Sequence, residues 1–240
     1  TTLYAALSEL NRPDVKIITA EDPVEYHIAG INQVQVHPRI GLSFGRVLKA
    51  MLRSAPNIIL VGEIRDVETA EIAIQASLTG HLVFSTLHTN DAPSALTRLI
   101  DMGVKPFLVS AAVQAVMAQR LVRRLCRHCA EQYAPSEAEL RALDLDPRLF
   151  AGRTFRQPRG CPECERTGYR GRLGLFEVLE LDENLREMTF RGASLEDVRA
   201  TALATRRLRP LLADGARKVA AGQTTVSEVL RVTRAASASA

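Results

Sequence analysis

Four cysteines stand at the spacing of a structural metal site. Cys126 and Cys129 form one Cys-x-x-Cys pair and Cys161 and Cys164 form a second, separated by residues 130–160. Four thiolates fill the tetrahedral shell of Zn²⁺ and leave no position for a reacting water. The alternatives are two redox-active pairs or four free thiols. Structural disulfides are not favoured, because the sequence shows no export signal. The spacing therefore predicts one non-catalytic zinc ion.

A second group of reactive side chains follows three apolar segments in the first half of the chain. Its members are Glu21, Asp22, Glu25, Glu63 and His88. If these segments are parallel strands of one sheet, their carboxyl ends share an edge, which is where such sheets bind ligands. Carboxylates and a histidine converging there suit a metal–nucleotide and an activated water. A single carboxylate after a strand is typically a helix cap, but three clusters at successive strand ends favour a site.

Alternating helical and extended patterns position these side chains. Strands are predicted at residues 15–20, 57–61, 81–87 and 173–181, and helices at about 3–10, 43–55, 66–79, 91–103 and 206–221, with two more opening at Ser194 and Thr225. Strands spaced by helical crossovers predict an α/β fold with a mostly parallel sheet.

The amino-acid composition excludes several classes of protein. The chain is 46% hydrophobic and 24% charged, which excludes general disorder, and its apolar runs are too short to span a membrane. A net charge of +4, with 5% aromatic residues and no Trp, argues against a nucleic-acid surface. Arginines cluster around the cysteines, where acidic lipid headgroups or an acidic protein are at least equally good partners, and ordinary solvation of surface arginines is the default interpretation. The Ala/Ser tail at residues 235–240 is expected to fray.

The segment that ends in Gly62-Glu63 has the form of a Walker B element, in which a buried strand presents a carboxylate to the water that attacks a γ-phosphate. The phosphate-cradling loop that should accompany it is absent, since no glycine-rich loop followed by Lys-Ser or Lys-Thr occurs in the 240 residues.

Several longer runs resemble the motifs of the secretion ATPases. Ile18–Tyr26 is similar to their Asp box, Val61–Asp66 to their Walker B and Thr79–Asn90 to their His box. Thr1–Ala5 resembles the residues that directly follow Gly-Lys-Thr in that family. The likeness covers nearly the whole chain and is strongest to type II secretion ATPases. It implies a P-loop (RecA-like) NTPase core, truncated at its front just after Walker A, with a zinc-binding and helical C-terminal region.

The resemblance also implies roles for individual residues. Glu63 would be the catalytic base, Glu21, Asp22 and Glu25 would organise Mg²⁺ and the attacking water, and His88 would sense the γ-phosphate.

A further set would contact ATP, and its members are Thr1, Thr2, Arg39, Arg46, Arg53 and His81. A solvated helix face is the alternative for Arg46 and Arg53, and a structural role is the alternative for His81.

The implied function is ATP hydrolysis that powers type II protein secretion, in a homo-hexamer on the cytoplasmic side of the inner membrane. The implied partners are inner-membrane platform proteins, with peripheral membrane association and no nucleic acid. Alternatives are a type IV pilus assembly ATPase and a non-catalytic zinc-dependent interaction or nucleic-acid module. Expected domains are residues 1–120, 121–171 and 172–234, followed by a disordered tail at 235–240. Without Walker A, the chain alone is expected to be inactive.

Overall fold

The computed structural model describes residues 1–150 and 152–237, except for the side chains of 234–237. The chain folds into two compact units. The first contains Thr1–Thr89, Ala95–Gln114 and Glu183–Val198, and the second contains the other described residues. Among the described residues, no helix is both long enough and apolar enough to cross a lipid bilayer.

The elements follow one another along the chain as α1 (Thr2–Leu10), β1 (Ile17–Glu21), β2 (Asn32–Gln35), α2 (Phe44–Leu52), β3 (Ile58–Val61), α3 (Val67–Leu78), β4 (Leu82–Ser85), α4 (Ser94–Asp101), α5 (Pro106–Ala112), β5 (Ala115–Leu125), β6 (Ala130–Tyr133), α6 (Glu137–Ala142), β7 (Phe155–Pro158), β8 (Tyr169–Glu180), α7 (Glu183–Phe190), α8 (Leu195–Ala204), β9 (Leu208–Arg209), α9 (Leu211–Ala220) and α10 (Val226–Ser237). Short 3₁₀ turns at Pro38–Ile40, Pro147–Phe150 and Pro162–Cys164 complete the list.

The first unit is built on a four-stranded sheet in the order β2-β1-β3-β4, and all its pairs are parallel. The predicted parallel sheet is therefore confirmed. Strand β2 was not expected, because its sequence Asn-Gln-Val-Gln lacks an apolar run. Leu7 of α1 packs with Ile17, Ile58 and Leu60 of the sheet in one buried cluster, and this cluster holds α1 against the strands that carry the candidate site.

The second unit contains a three-stranded antiparallel sheet, β5-β8-β9, and a two-stranded sheet, β6-β7. Strands β5 and β8 pair along almost their whole length. The two sheets and the helices share buried residues, since Phe155 of β7 and Leu143 lie in the same buried cluster as Val219 of α9 and Val229 of α10.

The units differ from the expected domains in where they divide the chain. The boundary at 120/121 falls inside β5, and the boundary at 171/172 falls inside β8. Because β5 and β8 pair with each other, the zinc-binding region cannot be separated from the residues that follow it. Residues 183–198 were expected in the C-terminal subdomain, but they belong to the first unit.

Two helix boundaries at the C-terminal end also differ from expectation. The helix expected over 206–221 starts at Leu211, since Arg206 has a φ of 58° and residues 208–209 pair with β8 as strand β9. Helix α10 extends through Ser237, so residues 235–237 of the expected disordered tail are helical. Residues 238–240 of that expected tail lie outside the described residues.

Candidate active site and candidate metal centre

The loop after β3 presents Glu63 at the carboxyl edge of the parallel sheet. Gly62 lies against β1, where its N–H donates to the Ala20 carbonyl at 2.7 Å. A Cβ at residue 62 would lie 3.2 Å from that carbonyl oxygen and 3.3 Å from Cα of Glu21. Glycine is thus the residue that allows the backbone of this loop to touch the end of the neighbouring strand.

The loops after β3 and β4 are also joined to each other. The Thr86 hydroxyl donates to the Gly62 carbonyl at 2.6 Å, and the Ile64 N–H donates to the Thr86 carbonyl at 3.0 Å. Asp66 then begins α3 as its N-cap, accepting from the Thr69 N–H at 2.8 Å. Glu63 therefore lies on a short, well-anchored loop between a buried strand and a capped helix.

The Glu63 carboxylate contacts the Arg65 guanidinium and the His88 imidazole. Its side chain is 13% exposed, and Oε2 lies 2.6 Å from Nε of Arg65 and 3.3 Å from Nε2 of His88. His88 follows β4, so this contact brings together the polar residues that follow β3 and β4. A carboxylate beside a guanidinium and an imidazole at the carboxyl edge of a parallel sheet can activate water beside an anionic substrate.

Glu21, at the end of β1, is held in a buried hydrogen-bond network. It is 4% exposed, and its carboxylate accepts from the Tyr4 hydroxyl, from the Thr19 hydroxyl at 2.5 Å and from Nε2 of Gln33 at 3.1 Å. Burial, and next the hydrogen bond to Glu21, raise the pKa of Tyr4. These contacts make Glu21 a support for the strand end, with both oxygens engaged by protein groups.

Asp22 and Glu25, the other acidic residues of this segment, are exposed. The Glu25 N–H donates to the Tyr4 hydroxyl at 3.2 Å. Tyr4 belongs to the first turn of α1, so the same tyrosine places the amino end of α1, with Thr1 as N-cap and Thr2 as its first residue, beside the end of β1. The N-terminus of a helix attracts phosphate through its unpaired N–H groups and its dipole.

The three arginines that were expected to contact ATP lie on the surface of the first unit. Arg39 is in the 3₁₀ turn at Pro38–Ile40, and Arg46 and Arg53 lie in and directly after α2; all three are exposed. Within residues 1–150 and 152–237, no hydrogen bond or ion pair joins any of them to Glu63 or His88.

His81 lies at the amino end of β4, away from the strand ends that carry the candidate site. Its Nδ1 is 2.9 Å from the Ala76 carbonyl and 3.1 Å from the Thr79 hydroxyl, at the C-terminal turn of α3. These contacts favour the structural alternative for His81.

The four cysteines converge in the second unit, with their Sγ atoms all within 4.8 Å of one another. Cys126 and Cys161 lie 3.9 Å apart, Cys129 and Cys164 3.8 Å, and Cys161 and Cys164 3.7 Å. A tetrahedral Zn²⁺ with Zn–S bonds near 2.3 Å places its sulfurs about 3.8 Å apart. The donor set and its spacing therefore fit a four-thiolate zinc site.

Backbone N–H groups support the second cysteine pair. Cys164 Sγ accepts from the N–H of Cys161 at 3.3 Å and from that of Gly168 at 3.2 Å. Burial opposes ionisation of this thiol, but these N–H groups outweigh it and lower the pKa of Cys164. Gly168 has a φ of 76°, and a Cβ there would lie 2.3 Å from Cβ of Pro158, so only glycine fits. His128 is exposed between the ligands of the first pair.

Two site residues were missed in the sequence. Arg65 lies between Glu63 and the predicted cap Asp66, and that position in a strand–helix loop was the available signal. Tyr4 lies beside the apolar stripe of α1, and no sequence pattern links its hydroxyl to Glu21.

A parallel sheet with these side chains at its carboxyl edge defines an α/β fold of the P-loop NTPase type. A solved structure of the pilus retraction motor PilT with bound ADP has this fold, with a TM-score of 0.69 at 24% identity over 97% of this chain and 57% of that chain. Residues 1–231 match the family described as Type II/IV secretion system protein, and the chain belongs to that family.

Curated relatives extend the comparison. The chain is 52% identical over 238 residues to type II secretion system protein E of Pseudomonas aeruginosa, covering 98% of this chain and 46% of the relative. It is 47% identical over 232 residues to the type IV pilus assembly ATPase PilB of Myxococcus xanthus, covering 96% of this chain and 41% of the relative. The chain thus spans somewhat less than half the length of these relatives.

Proposed function

We propose that this chain is the catalytic part of an ATP-hydrolysing motor for type II protein secretion. The observation that carries the proposal is the Glu63 carboxylate, held on an anchored loop at the carboxyl edge of the parallel sheet and contacted by His88 from the next strand. The 52% identity to a type II secretion system protein E supports the choice of secretion as the process.

In this proposal Glu63 accepts the proton of the water that attacks the γ-phosphate. His88 orients the Glu63 carboxylate and lies beside the transferred phosphate. Asp22 and Glu25 offer exposed carboxylate oxygens, the ligand type that Mg²⁺ prefers, and Glu21 fixes the strand that carries them. Mg²⁺, when bound, would neutralise phosphate charge, and the N–H groups at Thr1 and Thr2 would meet the phosphates.

The tetracysteine site has a structural role in this proposal. Cys126, Cys129, Cys161 and Cys164 would hold one Zn²⁺, and with all four positions taken by thiolates the ion closes the loop between the two pairs without entering the reaction.

The motor is proposed to work as a homo-hexamer on the cytoplasmic side of the inner membrane, docked on platform proteins and touching the membrane only peripherally. In this proposal the exposed Arg39, Arg46 and Arg53 meet phosphate from a neighbouring subunit, since a guanidinium fork suits phosphate oxygens. Pilus assembly remains the second candidate, because identity to PilB is 47%, close to that of the secretion proteins. Rescue of a secretion-defective strain against a pilus-defective strain separates the two.

The 240-residue chain by itself is proposed to bind ATP weakly and to hydrolyse none, because its sequence contains no glycine-rich loop ending in Lys-Ser or Lys-Thr to cradle the phosphates. The activity test therefore uses the full-length protein.

The decisive experiment replaces the proposed base in the full-length protein. Glu63→Gln should bind ATP at least as tightly as the parent, because the amide has the same shape, and should lower the rate of phosphate release by about 10²–10⁴-fold, because the amide accepts no proton. Glu68→Gln is the matched control, since Glu68 of α3 forms an exposed ion pair with Lys49 at the same 2.6 Å distance. Hydrolysis by Glu63→Gln within about threefold of the parent would make Glu63 a structural residue.

A further inference from the structure

Arg65 and His88 contact the same oxygen of Glu63. Nε of Arg65 lies 2.6 Å from Oε2 in an ion pair, and Nε2 of His88 lies 3.3 Å from that atom. The Arg65 guanidinium therefore occupies one oxygen of the carboxylate that is proposed to take a proton from water.

The two partners of this ion pair differ in exposure. The Glu63 side chain is 13% exposed and the Arg65 side chain is 68% exposed. The backbone around them is anchored, because Gly62 bonds to β1, Ile64 bonds to Thr86 and Asp66 caps α3. The Arg65 guanidinium can therefore leave Glu63 by rotating its own side chain, with no change in the loop.

Arg65 uses only one part of its guanidinium in this contact. Nε forms the ion pair with Glu63, and in the part of the chain that the structure describes, neither terminal nitrogen forms a hydrogen bond. Terminal guanidinium nitrogens form the planar fork that matches phosphate oxygens. Because ion pairs with an exposed partner are weak, a polyphosphate can compete with Glu63 for this guanidinium.

We propose that Arg65 is a positioning residue that alternates between two anions, the Glu63 carboxylate and a terminal phosphate oxygen of bound ATP. When the guanidinium moves to the γ-phosphate, Oε2 of Glu63 becomes free to accept the proton of water, while His88 keeps the carboxylate in place. The base is thus released by the phosphate that the water attacks, and ADP, which lacks that phosphate, leaves the ion pair closed. This inference rests on the proposed function, since it takes ATP as the ligand and Glu63 as the base.

The direct test compares structures of the unmodified full-length protein with Mg²⁺ and either a non-hydrolysable ATP analogue or ADP. With the analogue, the Nε–Oε2 distance should increase from 2.6 Å to beyond hydrogen-bond range, with the guanidinium on a γ-phosphate oxygen. With ADP the ion pair should persist. A guanidinium that stays on Oε2 with the analogue bound would overturn the proposal.

Binding measurements provide a second test that requires no turnover. Arg65→Gln should weaken ATP binding by about fivefold and leave ADP binding within about twofold, a difference that general disruption of the loop would not produce. Arg12→Gln is the matched control, because Arg12 is 66% exposed and pairs with Asp14 at the same two-residue separation. Its affinity for both nucleotides should equal that of the parent.

A double-mutant cycle then tests the exchange itself. Glu63→Gln should tighten ATP binding by more in the parent than in the Arg65→Gln background, since only the parent has an ion pair to break. Equal effects in both backgrounds, or Arg65→Gln behaving like Arg12→Gln for both nucleotides, would overturn the exchange while leaving the proposed function intact. A full-length protein that neither binds nor hydrolyses ATP would refute the proposed function, and the role of Arg65 with it.

Discussion

Glu228 is a buried carboxylate that ties α10 to β5, and its removal should measurably weaken the second unit. The side chain is 3% exposed, and it accepts from the Arg123 N–H at 2.8 Å and from the Arg123 guanidinium at 2.9 Å. Arg231, in the next turn of α10, donates to it at 3.0 Å. Burial opposes the charge, but the hydrogen bonds from Arg231 and Arg123 outweigh it and lower the pKa of Glu228 to about 2.

The size of the effect follows from linkage between protonation and folding. The pKa of Glu228 is about 2 in the folded state, below the ordinary value of 4.5, so the charged carboxylate stabilises the fold. This contribution is fully present above pH 4.5 and is lost as the pH falls toward 2. The difference between the two pKa values corresponds to about 3 kcal/mol at pH 7, of which about 1 kcal/mol remains at pH 3.

We therefore expect Glu228→Gln to lower the free energy of unfolding by about 3 kcal/mol at pH 7 and by about 1 kcal/mol at pH 3. Urea unfolding of both proteins, with EDTA present at each pH because acid also strips a thiolate-bound metal, measures this difference. Glu137→Gln is the control, since Glu137 pairs with Arg141 on the surface of the same unit. This substitution should change the free energy of unfolding only slightly. A loss below about 1 kcal/mol at pH 7, or an equal loss at both pH values, would refute the reasoning.

Three further outcomes are expected. Elemental analysis should find close to one zinc per chain, and Cys126→Ser should speed hydrogen exchange in residues 121–169 but not in the parallel sheet; a metal-free protein with four freely titrating thiols would contradict this. Gly62→Ala should lower the free energy of unfolding in urea by about 1–3 kcal/mol, because the added Cβ would contact rigid backbone. Gly45→Ala is the control and should be tolerated, because a Cβ at that position would contact only a flexible side chain. The ATPase rate per subunit of the full-length protein should rise from nanomolar to micromolar concentration if a ring is required, and a flat rate would indicate a self-sufficient monomer.

Local signals account for the parts of the fold that the sequence predicted well. Ser43 and Asp66 were expected at helix starts, and both side chains accept from a backbone N–H three residues along. Residues 57–61 read as a buried strand between Pro56 and Gly62, and β3 lies there. Each of these features is determined by residues within one or two turns of chain, so periodicity and capping suffice to find it.

The second unit was harder to predict because its organisation depends on distant pairing. Ala115 of β5 lies opposite Glu180 of β8, and no periodicity within either segment encodes that partner. The arginines of β5 interrupt its apolar pattern, and Val122 and Leu125 are its buried positions. The cysteine spacing identified four candidate ligands, but it gave no sign that residues between the two pairs form strands β6 and β7, which pair with each other.

The candidate site shows the same limit at the level of single carboxylates. Glu21 and Glu63 both lie at the end of a buried strand or just after one. The sequence pattern around each residue therefore predicted a functional carboxylate in both cases. Their surroundings differ, because Glu21 accepts from three neutral donors in the protein interior, whereas Glu63 contacts a largely exposed guanidinium and a largely exposed imidazole. Neutral donors fixed in a core hold a carboxylate in one place, while exposed cations can exchange it for a more highly charged anion. Of the two carboxylates, Glu63 is therefore the one whose availability a bound polyphosphate can control.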